Sequence, residues 1–189
     1  MNDDPCTAKR IVIIGTSGSG KTFLGSKLAK ALETKFVDLD DLHWLPGWQP
    51  RPEEDFFNCI KNELSCEKWV VSGNYTRASK YIWPQADMVI WLDFPLYHCL
   101  WRTLKRSLLR IFSREKCCNG NFETIGRLIG NDSILLWIWN THSRRRAAYD
   151  EYFSQAADST RFLRLVNNQE VEKFIHDVSN QKLKKNEIK

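Results

Sequence analysis

Short apolar runs alternate with longer stretches of helical periodicity along this chain. Five runs predict β-strands: Arg10 to Ile14, Lys35 to Leu39, Lys68 to Val71, Met88 to Leu92 and Arg161 to Val166. Each of the first four gives way to turn residues or helical spacing, which is typical of a parallel sheet. The pattern therefore predicts a three-layer α/β sandwich, with ligands bound outside the carboxyl ends of the strands.

A glycine-rich segment follows the first predicted strand. Residues Gly15, Thr16, Ser17, Gly18, Ser19, Gly20, Lys21 and Thr22 match the pattern GxxxxGK[ST] in a strand–loop–helix setting. Backbone N–H groups of such a loop, together with the helix N-terminus, cradle phosphates. Lys21 supplies positive charge for the β- and γ-phosphates, and Thr22 supplies a hydroxyl for Mg²⁺. The segment predicts a site for Mg·ATP.

Composition restricts the class of protein. The 189 residues are 42% hydrophobic and 27% charged, which fits a single globular domain spanning 1–189. No apolar run approaches the roughly 20 residues of a membrane span, and the acidic start, 1–5, is unlike a secretory signal. The six cysteines form no CxxC pair. We expect a cytoplasmic protein with reduced thiols and no membrane contact.

An acidic and aromatic segment follows the second predicted strand. Its candidate acceptor-binding residues are Asp38, Asp40, His43 and Trp44. A carboxylate here can accept the proton of an attacking hydroxyl, and Asp40 is the leading candidate for this acid or base. The alternative is that the carboxylates cap the next turn and the tryptophans pack. After the third strand, Arg77 is a candidate clamp for an acceptor phosphate.

The fourth predicted strand ends at Asp93, which Pro95 follows closely. A carboxylate in this position can hold the waters of Mg²⁺ or can cap the next helix. Both readings stay open at the level of sequence. Thr22 and Asp93 are the candidate metal ligands.

Positive charge is concentrated between Tyr97 and Arg127. Arg102, Arg106 and Arg110 are spaced to share one helix face, an arrangement that costs a few tenths of a kcal/mol per pair. Either an anionic ligand offsets this repulsion or the face is solvated. Leu100, Leu104, Leu108 and Ile111 form the opposite stripe, which predicts the buried face.

The segment 112–123 is polar and predicts a mobile lid that carries Arg114 over the phosphates. Arg106, Arg110 and Arg114 are therefore candidates to stabilise the transferring phosphoryl group, alongside Lys21. The run 144–146 offers three more arginines, not all of which can face one site. Residues 181–189 predict a short polar tail.

Several segments resemble the adenylate-kinase-related P-loop proteins termed topology modulation or FlaR-like. They are 39–48 with Asp-Asp-Leu-His-Trp and Pro-Gly-Trp, 69–75, 89–95, Cys99 with Arg102, and 136–139. The resemblance implies a nucleoside-monophosphate-kinase fold, sheet order 2-3-1-4-5 and transfer of the ATP γ-phosphate. By the same analogy, Asn167 contributes to the adenine pocket. One departure is Ser72, where adenylate kinases place an aspartate. Either Asp93 or the Asp38 and Asp40 pair takes that part, or magnesium binding is weaker in this chain.

The expected function is thus an ATP- and Mg²⁺-dependent kinase of a small acceptor, with a nucleoside monophosphate preferred. The Asp-Asp-Leu-His run also resembles gluconate-type sugar kinases, whose acceptor is a hydroxyl. A regulatory nucleotide-binding ATPase that contacts nucleic acid through its basic face is the alternative from another class. Phosphate contacts of that kind weaken steeply with salt.

Overall fold

The computed structural model describes residues 8–130, 133–155 and 161–187. Its strands are β1 (Arg10–Gly15), β2 (Lys35–Asp38), β3 (Trp44–Leu45), β4 (Gln49–Pro50), β5 (Trp69–Ser72), β6 (Met88–Leu92), β7 (Lys116–Cys117), β8 (Asn121–Phe122) and β9 (Arg161–Leu165). Its helices are α1 (Lys21–Leu32), α2 (Leu39–His43), α3 (Glu53–Glu63), α4 (Thr76–Ile82), α5 (Leu96–Ser113), α6 (Ile125–Ile129), α7 (Ile134–Gln155) and α8 (Asn168–Glu187), with a 3₁₀ turn at Trp83–Gln85.

The central sheet has five parallel strands in the order β2-β5-β1-β6-β9. Counted among these five strands along the chain, the order is 2-3-1-4-5, which confirms the predicted topology. Ile13 of β1 pairs with Ser72 on one side and with Ile90 on the other. This register brings the carboxyl ends of the strands to one edge of the sheet, where the loops after β1, β2, β5 and β6 meet.

Alternate residues of β1 enter two separate cores. Ile11 and Ile13 belong to the core that includes Leu24 and Leu28 of α1. Val12 and Ile14 belong to the core that includes Phe56 and Ile60 of α3. Because the sheet is covered on both faces, the predicted three-layer sandwich is confirmed.

Two small antiparallel hairpins, β3–β4 and β7–β8, lie against each other. The side chain of Asn121, which is buried, accepts from the backbone N–H of Trp48 at 2.8 Å and donates to the carbonyl of Leu45 at 3.0 Å. Asn119 donates to the carbonyl of Trp44 at 3.0 Å. The predicted lid, 112–123, thus ends on the aromatic loop that follows β2, and its mobility stays a prediction.

The predicted buried stripe of α5 is partly wrong. The helix buries the small residues Cys99, Thr103 and Ser107 instead, while Leu108 is exposed. The physical reason is close packing, because only small side chains fit where α5 meets the loop after β1.

None of the described helices is long and apolar enough to cross a membrane. The segment 181–189, predicted as a polar tail, is helical as far as Glu187, and its last two residues lie outside the described part of the chain.

Candidate active site

The glycine-rich loop after β1 packs directly against α5. Gly18 has a φ of 81°, and a Cβ atom there would lie 2.4 Å from both the carbonyl oxygen of Cys99 and Oγ1 of Thr103. Only glycine fits this position, both for its backbone angle and for its space. The loop is therefore held between the sheet and α5, and α1 begins at Lys21.

Polar contacts fix the shape of the loop. The Thr16 carbonyl accepts from the Ser19 N–H at 3.0 Å and from Lys21 Nζ at 3.2 Å. The Thr16 hydroxyl is 2.9 Å from His142 Nδ1 on α7. At the start of the loop, Asn74 accepts from the Gly15 N–H at 3.1 Å and donates to its carbonyl. Asn74, after β5, was not recognised from sequence, because an amide in a turn carries no motif.

Thr22 and Asp38 meet at the end of β2. The Thr22 hydroxyl donates to Asp38 Oδ2 at 2.7 Å, and the other oxygen of Asp38 accepts from the Asp40 N–H at 3.1 Å. Burial raises the pKa of Asp38, and the nearby charge of Asp40 raises it further. Oxygen ligands of this kind suit Mg²⁺, which usually takes one or two carboxylates plus substrate phosphates. Among the described residues, no cluster of three or more His, Cys, Asp and Glu side chains forms a site from protein alone.

Asp40 lies on α2 and is held by an aromatic neighbour. The Tyr75 hydroxyl donates to Asp40 Oδ1 at 2.7 Å. Burial and the charge of Asp40 raise the pKa of Tyr75, so the phenol stays protonated and remains a donor. Burial and the same carboxylate also raise the pKa of the Cys118 thiol, which places the tip of the β7–β8 hairpin beside the acidic pair.

His43 and Trp44 pack among aromatic rings. The His43 ring lies 4.6 Å from the Tyr75 ring and 5.3 Å from the Phe56 ring, between centroids. Trp44 meets Trp48 edge to face at 5.6 Å. Burial lowers the pKa of His43, so its ring is neutral at pH 7. His43 thus borders Tyr75, and Trp44 belongs to the β3–β4 hairpin. Contact of these two residues with an acceptor stays a prediction.

The charges of two arginines act on Lys21. Burial lowers the pKa of Lys21, Asp40 and Asp38 oppose that shift, and the positive charges of Arg106 and Arg145 lower it further. Nε of Arg106 and Nη1 of Arg145 are buried without a hydrogen-bond partner among the described residues. An arginine donor in that situation is available for an anionic ligand.

Arg145 is the member of the run 144–146 that faces the site. Its guanidinium lies 4.3 Å from the centroid of the Trp137 ring, about two turns earlier on α7. Arg144 is exposed, and Arg146 turns to Asp93. On a helix the three arginine side chains point in different directions, but the sequence does not indicate which of them points toward the site.

Asp93 has partners other than the predicted metal. Its buried carboxylate pairs with Arg146 Nε at 3.0 Å and with Arg164. Two arginines therefore neutralise the charge that magnesium would otherwise meet. Arg77, the predicted phosphate clamp, is exposed and pairs with Glu53 on α3, so no described contact joins it to Asp40 or Lys21.

Arg110 and Arg114 are the two remaining candidate arginines. Arg110 pairs with Glu123 at 3.0 Å, which ties the end of α5 to the segment after β8. Arg114 is exposed at the end of α5. Their roles in stabilising the transferring group stay predictions.

Arg102, on α5, approaches the glycine-rich loop at Gly20. A Cβ atom at Gly20 would lie 3.4 Å from Arg102 Nη2, and Arg102 Nη1 donates to Asn168 Oδ1 at 3.3 Å. Asn167 accepts from the Glu170 N–H at 2.9 Å and so caps α8. The adenine contact of Asn167 remains a prediction. The sequence indicates Arg102 only through the charged stripe and the family resemblance.

Solved structures of two kinases share the fold of this chain. A shikimate kinase from Acinetobacter baumannii in complex with shikimate superposes with a TM-score of 0.59 at 19% identity, covering 97% of both chains. A gluconokinase from Sinorhizobium meliloti 1021 superposes with a TM-score of 0.50 at 17% identity, covering 93% of this chain and 91% of that one. The chain has the P-loop kinase fold. At these identities the likeness concerns the fold alone.

Matches by sequence are shorter. The thermosensitive gluconokinase of Escherichia coli K12 is 59% identical over 32 residues, which is 17% of each chain. The uncharacterized protein YqaC of Bacillus subtilis 168 is 30% identical over 89 residues, 46% of this chain and 50% of that protein. The aligned segments thus span half or less of these relatives, and no family model matches the chain. The narrower FlaR-like resemblance stays a prediction.

Proposed function

We propose that this P-loop kinase fold transfers the γ-phosphoryl group of Mg·ATP to a hydroxyl of a small acceptor. The observation that carries the proposal is the position of Asp40. Its carboxylate is fixed by Tyr75 at 2.7 Å and lies close enough to Lys21 for its charge to act on the pKa of the ammonium. A base beside the phosphate-binding lysine suits an acceptor that must lose a proton.

Thr22 and Asp38 are the residues that would hold magnesium. Both present oxygen atoms at one point, beside the loop that receives the phosphates. Bound there with ATP, the metal would neutralise charge on the β- and γ-phosphates. Asp38 takes this role in preference to Asp93, because two arginines already occupy the Asp93 carboxylate.

The reaction then needs one proton transfer and one displacement. Asp40 accepts the proton of the acceptor hydroxyl, and the new oxygen–phosphorus bond forms as the bond between the γ-phosphorus and the β,γ-bridging oxygen breaks. ADP leaves with that electron pair. Lys21 and Arg106 provide the positive charge that stabilises the equatorial oxygens during transfer.

The acceptor that fits best is a small hydroxy acid. Arg145 offers a buried and unpartnered Nη1 within range of the Asp40 charge, which suits a carboxylate held beside the reacting hydroxyl. The structural neighbours are named a gluconokinase and a shikimate kinase, and both gluconate and shikimate are hydroxy acids. The sequence favoured a nucleoside monophosphate because of the family resemblance, Arg77 and the tryptophan loop. Of these, Arg77 is exposed and paired with Glu53.

The test measures ADP release with Mg·ATP and a panel of acceptors. The panel contains gluconate, shikimate, their methyl esters, four nucleoside monophosphates and a 5′-hydroxyl oligonucleotide. Lys21→Ala serves as the inactive control, since it removes the phosphate-binding charge. Turnover with an acid, weaker turnover with its ester and none with Lys21→Ala would support the proposal. Turnover only with a monophosphate would overturn the acceptor class, and ATP binding without any acceptor-dependent turnover would favour a regulatory role.

A further inference from the structure

The outer side of α5 carries an apolar stripe that is exposed except at Leu104, which is half-buried. Its members are spaced i, i+4, i+7, i+11 and i+15: Tyr97, Trp101, Leu104, Leu108 and Phe112. Tyr97 is 74% exposed, Trp101 65% and Phe112 80%. This helix therefore turns small residues inward and its largest apolar residues outward, the reverse of an ordinary surface helix.

A groove runs beside this stripe. It has a volume of about 520 Å³ and lies between α5 and α7, lined by Tyr97, Leu100, Trp101, Leu104, Leu135 and Trp139. Trp139 is itself 63% exposed. Every side chain of the lining is apolar or aromatic and none is charged. Contiguous exposed apolar surface of this kind marks an interaction site rather than ordinary solvent-facing surface.

We infer that this outer face of α5 and α7 binds a second copy of the same chain across a two-fold axis. The face is self-complementary, because it carries both projecting indole rings and a groove that can receive them. A two-fold interface uses one patch twice, so each copy can place an aromatic side chain in the groove of the other. The uncharged lining also matters, since a chain with a net charge of +5 meets its own copy most easily through a neutral face.

The available area agrees with a dimer. Four aromatic side chains, Tyr97, Trp101, Phe112 and Trp139, each expose more than 60% of their surface. At about 200 Å² for each whole side chain, they alone offer roughly 560 Å². A stable interface needs about 800 Å² from each partner, which the neighbouring leucines of the same face help to supply. Tyrosine, tryptophan and phenylalanine are also the residues enriched at the centres of such interfaces.

The dimer leaves the candidate active site free. Arg102 and Arg106 lie on the other side of α5, toward the glycine-rich loop and Lys21. The inference thus stands on the outer face alone and does not depend on the proposed kinase activity.

Sedimentation velocity across roughly 1 to 100 µM protein tests the inference. We expect a species of twice the chain mass that dissociates on dilution. Trp101→Glu and Trp139→Glu should each weaken the dimer about tenfold or more, because each places a charge in an apolar contact. Tyr81→Glu is the matched control, since it changes an exposed aromatic residue on α4 and should leave the dimer intact.

Circular dichroism checks that the variants fold, and Trp101→Ala replaces Trp101→Glu where the charged variant does not. A wild-type chain that stays monomeric at every concentration would overturn the inference. So would a dimer that both tryptophan variants retain. A monomer that floats with phosphatidylcholine vesicles would show that the face meets lipid instead of a second copy.

Discussion

The Thr22 hydroxyl donates a 2.7 Å hydrogen bond to the carboxylate of Asp38. This bond joins the last residue of the phosphate-binding loop to the end of β2, and it brings together two oxygen ligands of the type magnesium prefers. Asp93, at the end of β6, is bound instead by Arg146 and Arg164. The two aspartates at the same edge of the sheet therefore have different electrostatic surroundings, and substitution separates their roles.

Asp38→Asn should raise the Mg²⁺ concentration needed for half-maximal turnover by about tenfold or more, because a neutral amide holds the metal less well. Asp93→Asn should leave that concentration nearly unchanged. It should lower the thermal midpoint by several degrees, since two arginines lose their partner at a cost of about 1–3 kcal/mol. Activity is titrated with Mg²⁺ at fixed ATP, and unfolding is followed by calorimetry. A Mg²⁺ shift confined to Asp93→Asn would contradict this assignment.

The raised pKa of Asp38 predicts a specific pH dependence. Its causes are burial first and the charge of Asp40 second. The folded state binds this proton more tightly than the unfolded state does, so the free energy of unfolding contributed by Asp38 decreases as pH rises from its ordinary pKa through the raised one. Below both pKa values this contribution is fully present.

Comparison of thermal midpoints from about pH 4 to pH 7 tests this sign. Without nucleotide, Asp38→Asn should gain stability relative to wild type as pH rises through that window, since the variant lacks the carboxylate that must ionise. The opposite trend would mean that the Asp38 pKa is lowered rather than raised. Asp41→Asn, on the same short helix, is the control.

Asp40→Asn should lower kcat by about a hundredfold or more, because the acceptor hydroxyl loses its base. The dissociation constant for ATP should change little, and equilibrium binding of a fluorescent ATP analogue checks this. Tyr75→Phe removes only the 2.7 Å hydrogen bond to Asp40, so a smaller loss is expected. A similar loss in both variants would show that positioning, rather than proton transfer, is the function of Asp40.

Some of these features follow from the sequence and others do not. The five parallel strands were predicted to within one residue at each end, because each is a largely apolar run bounded by turn residues. The phosphate-binding loop is a local sequence motif, so it could be predicted equally well. The sequence does not show which face of α5 is buried, since the helix has apolar residues on more than one side. The buried face depends on how closely the helix approaches Gly18. Local sequence contains no information on that distance.

The arginine run on α7 shows the same limit. Three consecutive arginines must point in different directions on a helix, but the direction of the site depends on how α7 packs against the sheet. In the structure the charge of Arg145 acts on Lys21, and Arg146 pairs with Asp93. The sequence leaves Asp93 open between a magnesium ligand and a helix cap, because its arginine partners lie more than 50 residues away along the chain.

Arg145→Ala should raise KM for the acceptor by about tenfold or more, since a charge-assisted hydrogen bond to its anionic group is lost. KM for ATP should change less. Arg144→Ala is the matched control, because its side chain is exposed on the adjacent position of α7. Steady-state kinetics with the acceptor and its methyl ester complete the test. If the ester and the acid lose the same factor, Arg145 does not bind the carboxylate.

Asn121→Ala should loosen the lid. The buried Asn121 side chain bonds to the Trp48 N–H and to the carbonyls of Leu45 and Cys118, and so holds the β7–β8 hairpin on the loop that borders the acceptor side. Without these bonds water reaches the phosphates more easily, so ATP hydrolysis without acceptor should rise severalfold while acceptor-dependent kcat falls. Asn119→Ala, which removes one exposed hydrogen bond to Trp44, should have a smaller effect. Measuring ADP release with and without acceptor distinguishes the two variants, and equal hydrolysis in Asn121→Ala and wild type would show that the hairpin does not exclude water.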